Sequence, residues 1–122
     1  MEQLKLLLVD DEVEFVLTLA ERLALRGIEV RTAHSGEEAL RHIISDPPQV
    51  VVLDVMMPGM GGLEVLQRIK EQNPGIKVIL LTGIGNPRDG AEGIRLGACD
   101  YLMKPLQLEE LLEKIRIALT GP

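Results

Sequence analysis

Gln49 to Gly62 reads QVVVLDVMMPGMGG, and this stretch decides the fold. Val50 to Leu53 is an apolar, β-favouring run that enters Asp54 directly. A run without polar alternation is the pattern of a strand covered on both faces of a parallel sheet. After Val55, Met56 and Met57 come Pro58, Gly59, Gly61 and Gly62. Proline and glycine at those positions break the extended chain and turn it back. Asp54 therefore ends a buried strand. It either opens a turn or presents a charged group at the edge of a sheet.

Working outward, the same unit recurs along the chain. Leu4 to Val9 is a first buried strand ending in Asp10, Asp11 and Glu12. Val13, Val16, Leu17, Ala20 and Leu23 follow at helical spacing, and Gly27 stops that helix. Ile28 to Ala33 alternates, as suits an edge strand. Ser35 and Glu38 have capping-box spacing, and Ala39, Leu40, Ile43 and Ile44 predict the inner face of a second helix before Asp46-Pro47-Pro48. Leu63, Val65, Leu66 and Ile69 carry a third helix, stopped by Asn73-Pro74-Gly75. Ile76 to Leu81 is a fourth strand ending in Thr82, and Gly83, Gly85 and Pro87 make a loop. A fourth helix over about Arg88 to Leu96 is weakened by Gly90 and Gly93, at about 1 kcal/mol each relative to alanine. Cys99 to Met103 is the fifth strand, followed by Lys104-Pro105. Leu108, Leu111, Leu112, Ile115 and Leu119 stripe the last helix. Five alternations of strand and helix predict a parallel five-stranded sheet with helices on both faces, strand order 2-1-3-4-5 and one domain over residues 1–122.

Composition narrows the function. The net charge of −6 argues against direct contact with nucleic acid or a membrane surface, which needs clustered Lys and Arg. The lone Cys99 cannot form an internal disulfide and is expected to be a small buried hydrophobe in a reducing compartment. No apolar run approaches the roughly 20 residues of a membrane span, and the run Leu6 to Val9 is too short for a signal peptide. A cytoplasmic protein is expected.

The residues immediately after the strands form a constellation. They are Asp10 and Asp11, Asp54, Thr82 and Lys104. In an open parallel sheet these ends share one edge, and ligands bind where the strand order reverses, here between the first and third strands. Adjacent strands lie about 4.8 Å apart, so the three aspartates are expected in one pocket. Three such carboxylates cannot all stay ionised unaided: they share a proton or take a cation, and an oxygen-only set suits Mg²⁺ or Mn²⁺. His34 follows the edge strand and Cys99 begins its own, so neither offers a soft ligand there. With Lys104 and the Thr82 hydroxyl opposite, Asp54 is placed to act as a nucleophile toward a phosphoryl group.

These motifs resemble the receiver domain of bacterial two-component response regulators, which has a flavodoxin-like doubly wound (βα)5 fold. The resemblance spans the chain and rests on LLLVDDE at Leu6 to Glu12, VVLDVMMPGM at Val51 to Met60, LLTG at Leu80 to Gly83, and LGACDYLMKP at Leu96 to Pro105. It implies phosphotransfer to Asp54 from the phosphohistidine of a sensor histidine kinase or phosphotransfer domain. It implies Mg²⁺ on Asp11 and Asp54, on Asp10 mostly through water, and on the Met56 carbonyl. It further implies that Lys104 contacts the phosphoryl group and that Lys104-Pro105 is cis. Thr82 and Tyr101 would act as a coupled switch that changes a binding face on the fourth helix, fifth strand and fifth helix. That face would be read by an effector protein or an attached output domain, with homodimerisation on phosphorylation as one outcome. No external metabolite would be turned over.

Some residues carry plainer expectations. Met56 and Met57 are read as gap-filling core side chains, with only the Met56 carbonyl given a role. Glu12 is read as a charge complementing the first helix's dipole. The chain departs from the family at Gly61, a weaker cap for the third helix. Gly83 leaves the site open to water, and Gly90 and Gly93 predict a mobile fourth helix. Two other classes fit less well. A haloacid dehalogenase-type hydrolase uses similar chemistry but has its nucleophile first, in a D-x-D motif; here the acid pair comes first, and two positions after Asp54 stands Met56, not Asp. A nucleotide or flavin module needs a glycine-rich first turn, where this chain has Asp10-Asp11-Glu12-Val13.

Overall fold

The computed structural model describes residues 3–83 and 87–121. The expected Gly85 loop position and Pro122 lie outside them. The elements follow in order: β1 Lys5–Val9, α1 Val13–Ala24, β2 Glu29–Ala33, α2 Gly36–Ser45, β3 Val50–Asp54, α3 Gly62–Gln72, β4 Lys77–Thr82, α4 Pro87–Arg95, β5 Asp100–Met103 and α5 Leu108–Thr120. All strand pairs are parallel, and the order is β2-β1-β3-β4-β5. This is the flavodoxin-like doubly wound arrangement.

Side chains alternate across a strand, and both faces of β1, β3 and β4 are covered, which is why those inner strands are mostly apolar while the edge strand β2 alternates. Leu7, Val9, Val51, Leu53, Val78 and Leu80 face one side and pack with Ala39 and Ile43 of α2 and Val65, Leu66 and Ile69 of α3. Leu6, Leu8, Val50, Val52, Ile79 and Leu81 face the other, against Val16, Leu19 and Leu23 of α1 and Leu111 and Ile115 of α5. The register pairs Val9 with Leu53, so Asp10 and Asp54, each one position further on, emerge side by side at the C-terminal edge.

Helix ends follow local chemistry. Gly27 takes φ +83° and Gly97 φ +114°, left-handed conformations that end α1 and α4 and that other residues rarely adopt. Ser35 Oγ accepts from the Glu38 N–H at 3.1 Å, the expected half of the capping box. The return bond differs: Glu38 Oε1 accepts from His34 N–H at 2.9 Å, one residue before the cap. Gly61 caps α3 without a side-chain bond, as expected. Pro87, expected in a loop, is the first residue of α4, where its missing N–H costs nothing and its fixed φ fits the helix.

Several side chains fall elsewhere than their spacing predicts. On α1, Leu17 is 56% exposed and Val13 is exposed too, while Leu19 is buried. Ile44 on α2 and Leu119 on α5 are also exposed. A helix over a sheet buries only the stripe that meets it, and a wider apolar pattern spills onto solvent. Cys99 is exposed, not buried, because it lies in the turn before β5. Met57 is buried as expected, but Met56 is 63% exposed and fills no gap in the core. It stands past the end of β3, beyond the layer that α3 covers.

Candidate phosphoacceptor site

Asp10 leaves β1 fully buried. Its N–H donates to Ala33 O at 3.1 Å, which keeps it in register with β2. Its Oδ1 accepts from the Glu12 N–H at 3.0 Å, a local turn that starts α1 although Glu12, the capping residue, makes no side-chain cap. Asp11 beside it is exposed. Asp54 ends β3 almost wholly buried, and its Oδ1 accepts from the Met56 N–H at 3.4 Å. Gly62 explains how the chain turns so closely behind it. A β-carbon at Gly62 would stand 2.3 Å from Asp54 O and 2.7 Å from Val55 Cα. Only glycine lets α3 begin against the backbone of the acid it follows. The sequence showed Gly62 only as part of a turn.

Oxygens of Asp10, Asp11 and Asp54 all lie within 4.8 Å of one another. Burial, reinforced by the Asp10 charge, pushes the Asp54 carboxyl up to about 7, against the opposing pull of Lys104. Lys104 arrives from the end of β5, its N–H donating to Thr82 O at 2.9 Å and its peptide bond to Pro105 cis, as expected. The Lys104 ammonium lies 2.8 Å from Asp10 Oδ2, 2.7 Å from Glu12 Oε1 and 3.8 Å from Asp54 Oδ1. Burial alone would lower its proton affinity, but Asp10, Glu12 and Asp54 outweigh that and raise it to about 12. It also sits 4.9 Å from the centre of the Phe15 ring, a cation–π contact. Two partners of Lys104 were therefore missed in the sequence. Glu12 is an ion-pair partner and more than a helix-end charge, and Phe15 is a floor beneath the ammonium.

The residues present fit a hard divalent cation. The donor set is oxygen only, burial and Asp10 disfavour ionisation of Asp54 in the absence of a cation, and Asp10 Oδ2 is buried with no hydrogen bond. Its ion pair with Lys104 is close but lacks hydrogen-bond angles.

Thr82 is fully buried at the end of β4, and its hydroxyl donates to Leu102 O on β5 at 3.5 Å. At Gly83, just beyond, a β-carbon would meet none of the described residues within 4 Å. Tyr101 pairs with Leu80 across β4 and β5 and packs, half-buried, against the α2–α3 core. Its ring lies on Gly90 of α4, where a β-carbon would stand 2.6 Å from the ring carbons. A β-carbon at Gly93 would stand 1.9 Å from Leu80 Cδ1. The two glycines read as softening α4 are thus also where the helix touches the sheet.

A doubly wound parallel sheet with an acid cluster and a lysine at its C-terminal edge defines a class of protein: an α/β domain whose chemistry sits at the topological switch point. Residues 6–116 match the model of the response regulator receiver domain. The probable transcriptional regulator ycf27 of Cyanophora paradoxa is 44% identical over 112 residues, 92% of this chain and 46% of that protein. Response regulator MprA of Mycobacterium avium is 40% identical over 116 residues, 95% of this chain and 51% of that protein. The chain spans about half the length of the curated relatives it matches. The receiver domain of NtrX from Brucella abortus superposes with a TM-score of 0.91 at 35% identity, covering 96% of this chain and 99% of that one. This chain belongs to the receiver domain family of two-component response regulators.

Proposed function

We propose that residues 1–122 form one receiver domain that works as a phosphorylation switch, with Asp54 as the phosphoacceptor. The observation that carries this reading is the convergence of Asp10, Asp11, Asp54 and Lys104, from three strand ends, into one cluster at the C-terminal edge of the sheet. An Asp54 oxygen attacks the phosphorus of a phosphohistidine on a sensor histidine kinase or phosphotransfer domain. The P–O bond forms as the P–N bond breaks, and the electron pair returns to the imidazole. Lys104 neutralises charge on the transferring phosphoryl oxygens, and Thr82 turns its hydroxyl from Leu102 O to one of them. Asp10, Asp11, Asp54 and the Met56 carbonyl would hold Mg²⁺ or Mn²⁺, which supplies further positive charge to those oxygens when bound.

The movement of Thr82 is relayed by Tyr101, whose ring already bridges β5 and α4. The altered α4–β5–α5 face is the output, read by an effector protein or an attached output domain, with pairing of two copies as one consequence. The domain promotes its own phosphorylation and dephosphorylation and turns over no external metabolite. It works in the bacterial cytoplasm, and no described helix is long and apolar enough to cross a membrane.

The test is direct. Incubation with Mg²⁺ and acetyl phosphate is expected to add the mass of one phosphate, and Asp54→Asn is expected to abolish the adduct. No adduct, or one that survives the substitution, would end this reading.

A further inference from the structure

Among the described contacts, the best-directed hydrogen bond of Lys104 goes outside the acid cluster. Its ammonium donates to Glu12 Oε1 at 2.7 Å. Asp10 Oδ2 is near but not hydrogen-bonded, and Asp54 Oδ1 is 3.8 Å away. The Phe15 ring supports the ammonium at 4.9 Å. Glu12 differs from the other two acids in exposure. Its side chain is 64% accessible, whereas that of Asp10 is buried completely. Its backbone is pinned by the bond from its N–H to Asp10 Oδ1, yet its carboxylate has water to return to. Such a pair is easily exchanged: an exposed ion pair is worth about 0.2–1 kcal/mol. A phosphoryl group brings roughly two negative charges toward the same ammonium.

We infer that Glu12 is a positioning residue for phosphoryl acceptance: it holds the Lys104 ammonium short of Asp54 in the resting protein and yields it when the phosphoryl group arrives. The inference rests on Asp54 being the phosphoacceptor. Glu12 makes no contact with the reacting atoms and acts through Lys104. It both keeps the lysine beside the acid cluster and competes for it, so removing its charge frees the lysine for the phosphoryl group.

The experiment uses Glu12→Gln in the native and Lys104→Ala backgrounds. Two quantities are read: solvent exchange of the Lys104 ammonium by NMR without divalent ions, and affinity for beryllium fluoride with Mg²⁺. Glu12→Gln is expected to speed ammonium exchange. It is also expected to tighten beryllium fluoride binding by about 1.4- to five-fold, the range an exposed ion pair spans. On the Lys104→Ala background it is expected to change nothing. Unchanged or weaker binding in Glu12→Gln overturns the inference, and so does an equal gain without Lys104, which would be a general effect of charge at the α1 terminus. If Glu12→Gln does not fold, Glu12→Asp, which keeps the charge but shortens the reach, is read in the same way. An Asp54-dependent phosphate adduct with no effect of Glu12 retires this inference alone. Absence of that adduct in the native protein retires the phosphoacceptor reading itself.

Discussion

The Tyr101 ring rests on the α-carbon side of Gly90, so closely that a β-carbon at Gly90 would stand 2.6 Å from two of its ring carbons and 2.7 Å from a third. The helix and the ring share one space, and the absence of a side chain on α4 is what lets the ring occupy it. Gly90→Ala is expected to drive the ring outward, at a cost of about 1–3 kcal/mol for the overpacked contact. The chain has one tyrosine and no tryptophan, so its intrinsic fluorescence reports Tyr101 alone. Quenching by iodide should rise in the variant. Unchanged quenching together with unchanged stability would mean that α4 simply lifts away and that ring and helix are not coupled.

Gly62 sets the position of Asp54 from behind. A β-carbon there would stand 2.3 Å from Asp54 O, and backbone on backbone has no flexible end to give way. Gly62→Ala should destabilise the fold by about 2 kcal/mol or more and slow phosphate adduct formation on Asp54. Gly83→Ala is the control. No described residue would meet a β-carbon at that position within 4 Å, and its stability should change by less than about 0.5 kcal/mol. Urea melts of the two variants make the comparison.

Asp54 makes stability depend on pH in an unusual direction. Its folded-state carboxyl is raised to about 7 from an ordinary 3.8, first by burial and then by Asp10. Between those values the folded protein holds a proton that the unfolded chain has lost. The contribution of Asp54 is therefore fully present below pH 4 and is lost as pH rises to about 7. Asp54→Asn removes the titration. Without divalent ions, its stability advantage over the native chain should grow from near zero at pH 4 to on the order of 2 kcal/mol at pH 8. Mg²⁺ should shrink that advantage by stabilising the native chain more at pH 8 than at pH 5. A gap independent of pH would contradict the burial argument.

Helix α4 has only nine residues, includes Gly90 and Gly93, and lies on the sheet through those glycines. At both positions the helix has no side chain of its own to anchor it, and each glycine favours the unfolded chain. Amide hydrogen exchange across residues 88–96 is expected to be faster than across α3 or α5 in the unphosphorylated protein, and to slow on phosphorylation. Protection equal to that of α3 would remove the basis for a readily biased output helix.

Much of this architecture is local and was readable residue by residue. Uninterrupted apolar runs such as Val50 to Leu53 mark strands covered on both faces, and Asn73-Pro74-Gly75 or Gly97 stops helices by backbone chemistry alone. Because every strand runs the same way, the residues just after them had to share one edge. Asp10, Asp54, Thr82 and Lys104 could therefore be placed there before any coordinates. Contacts between distant residues were decided only by packing. Helical spacing could not say whether Leu17 or Leu19 meets the sheet, since both fit an apolar stripe and the docking angle chooses. Nor could it show the Lys104–Glu12 hydrogen bond, whose partners are 92 positions apart. Gly62 and Gly90 look like turn and helix weakness along the chain. In the folded protein they are the two places where the backbone behind Asp54 and the ring of Tyr101 need the volume a side chain would take. Local sequence dictates which element forms and where it stops. Steric exclusion between elements, which no local pattern encodes, decides which atoms then touch.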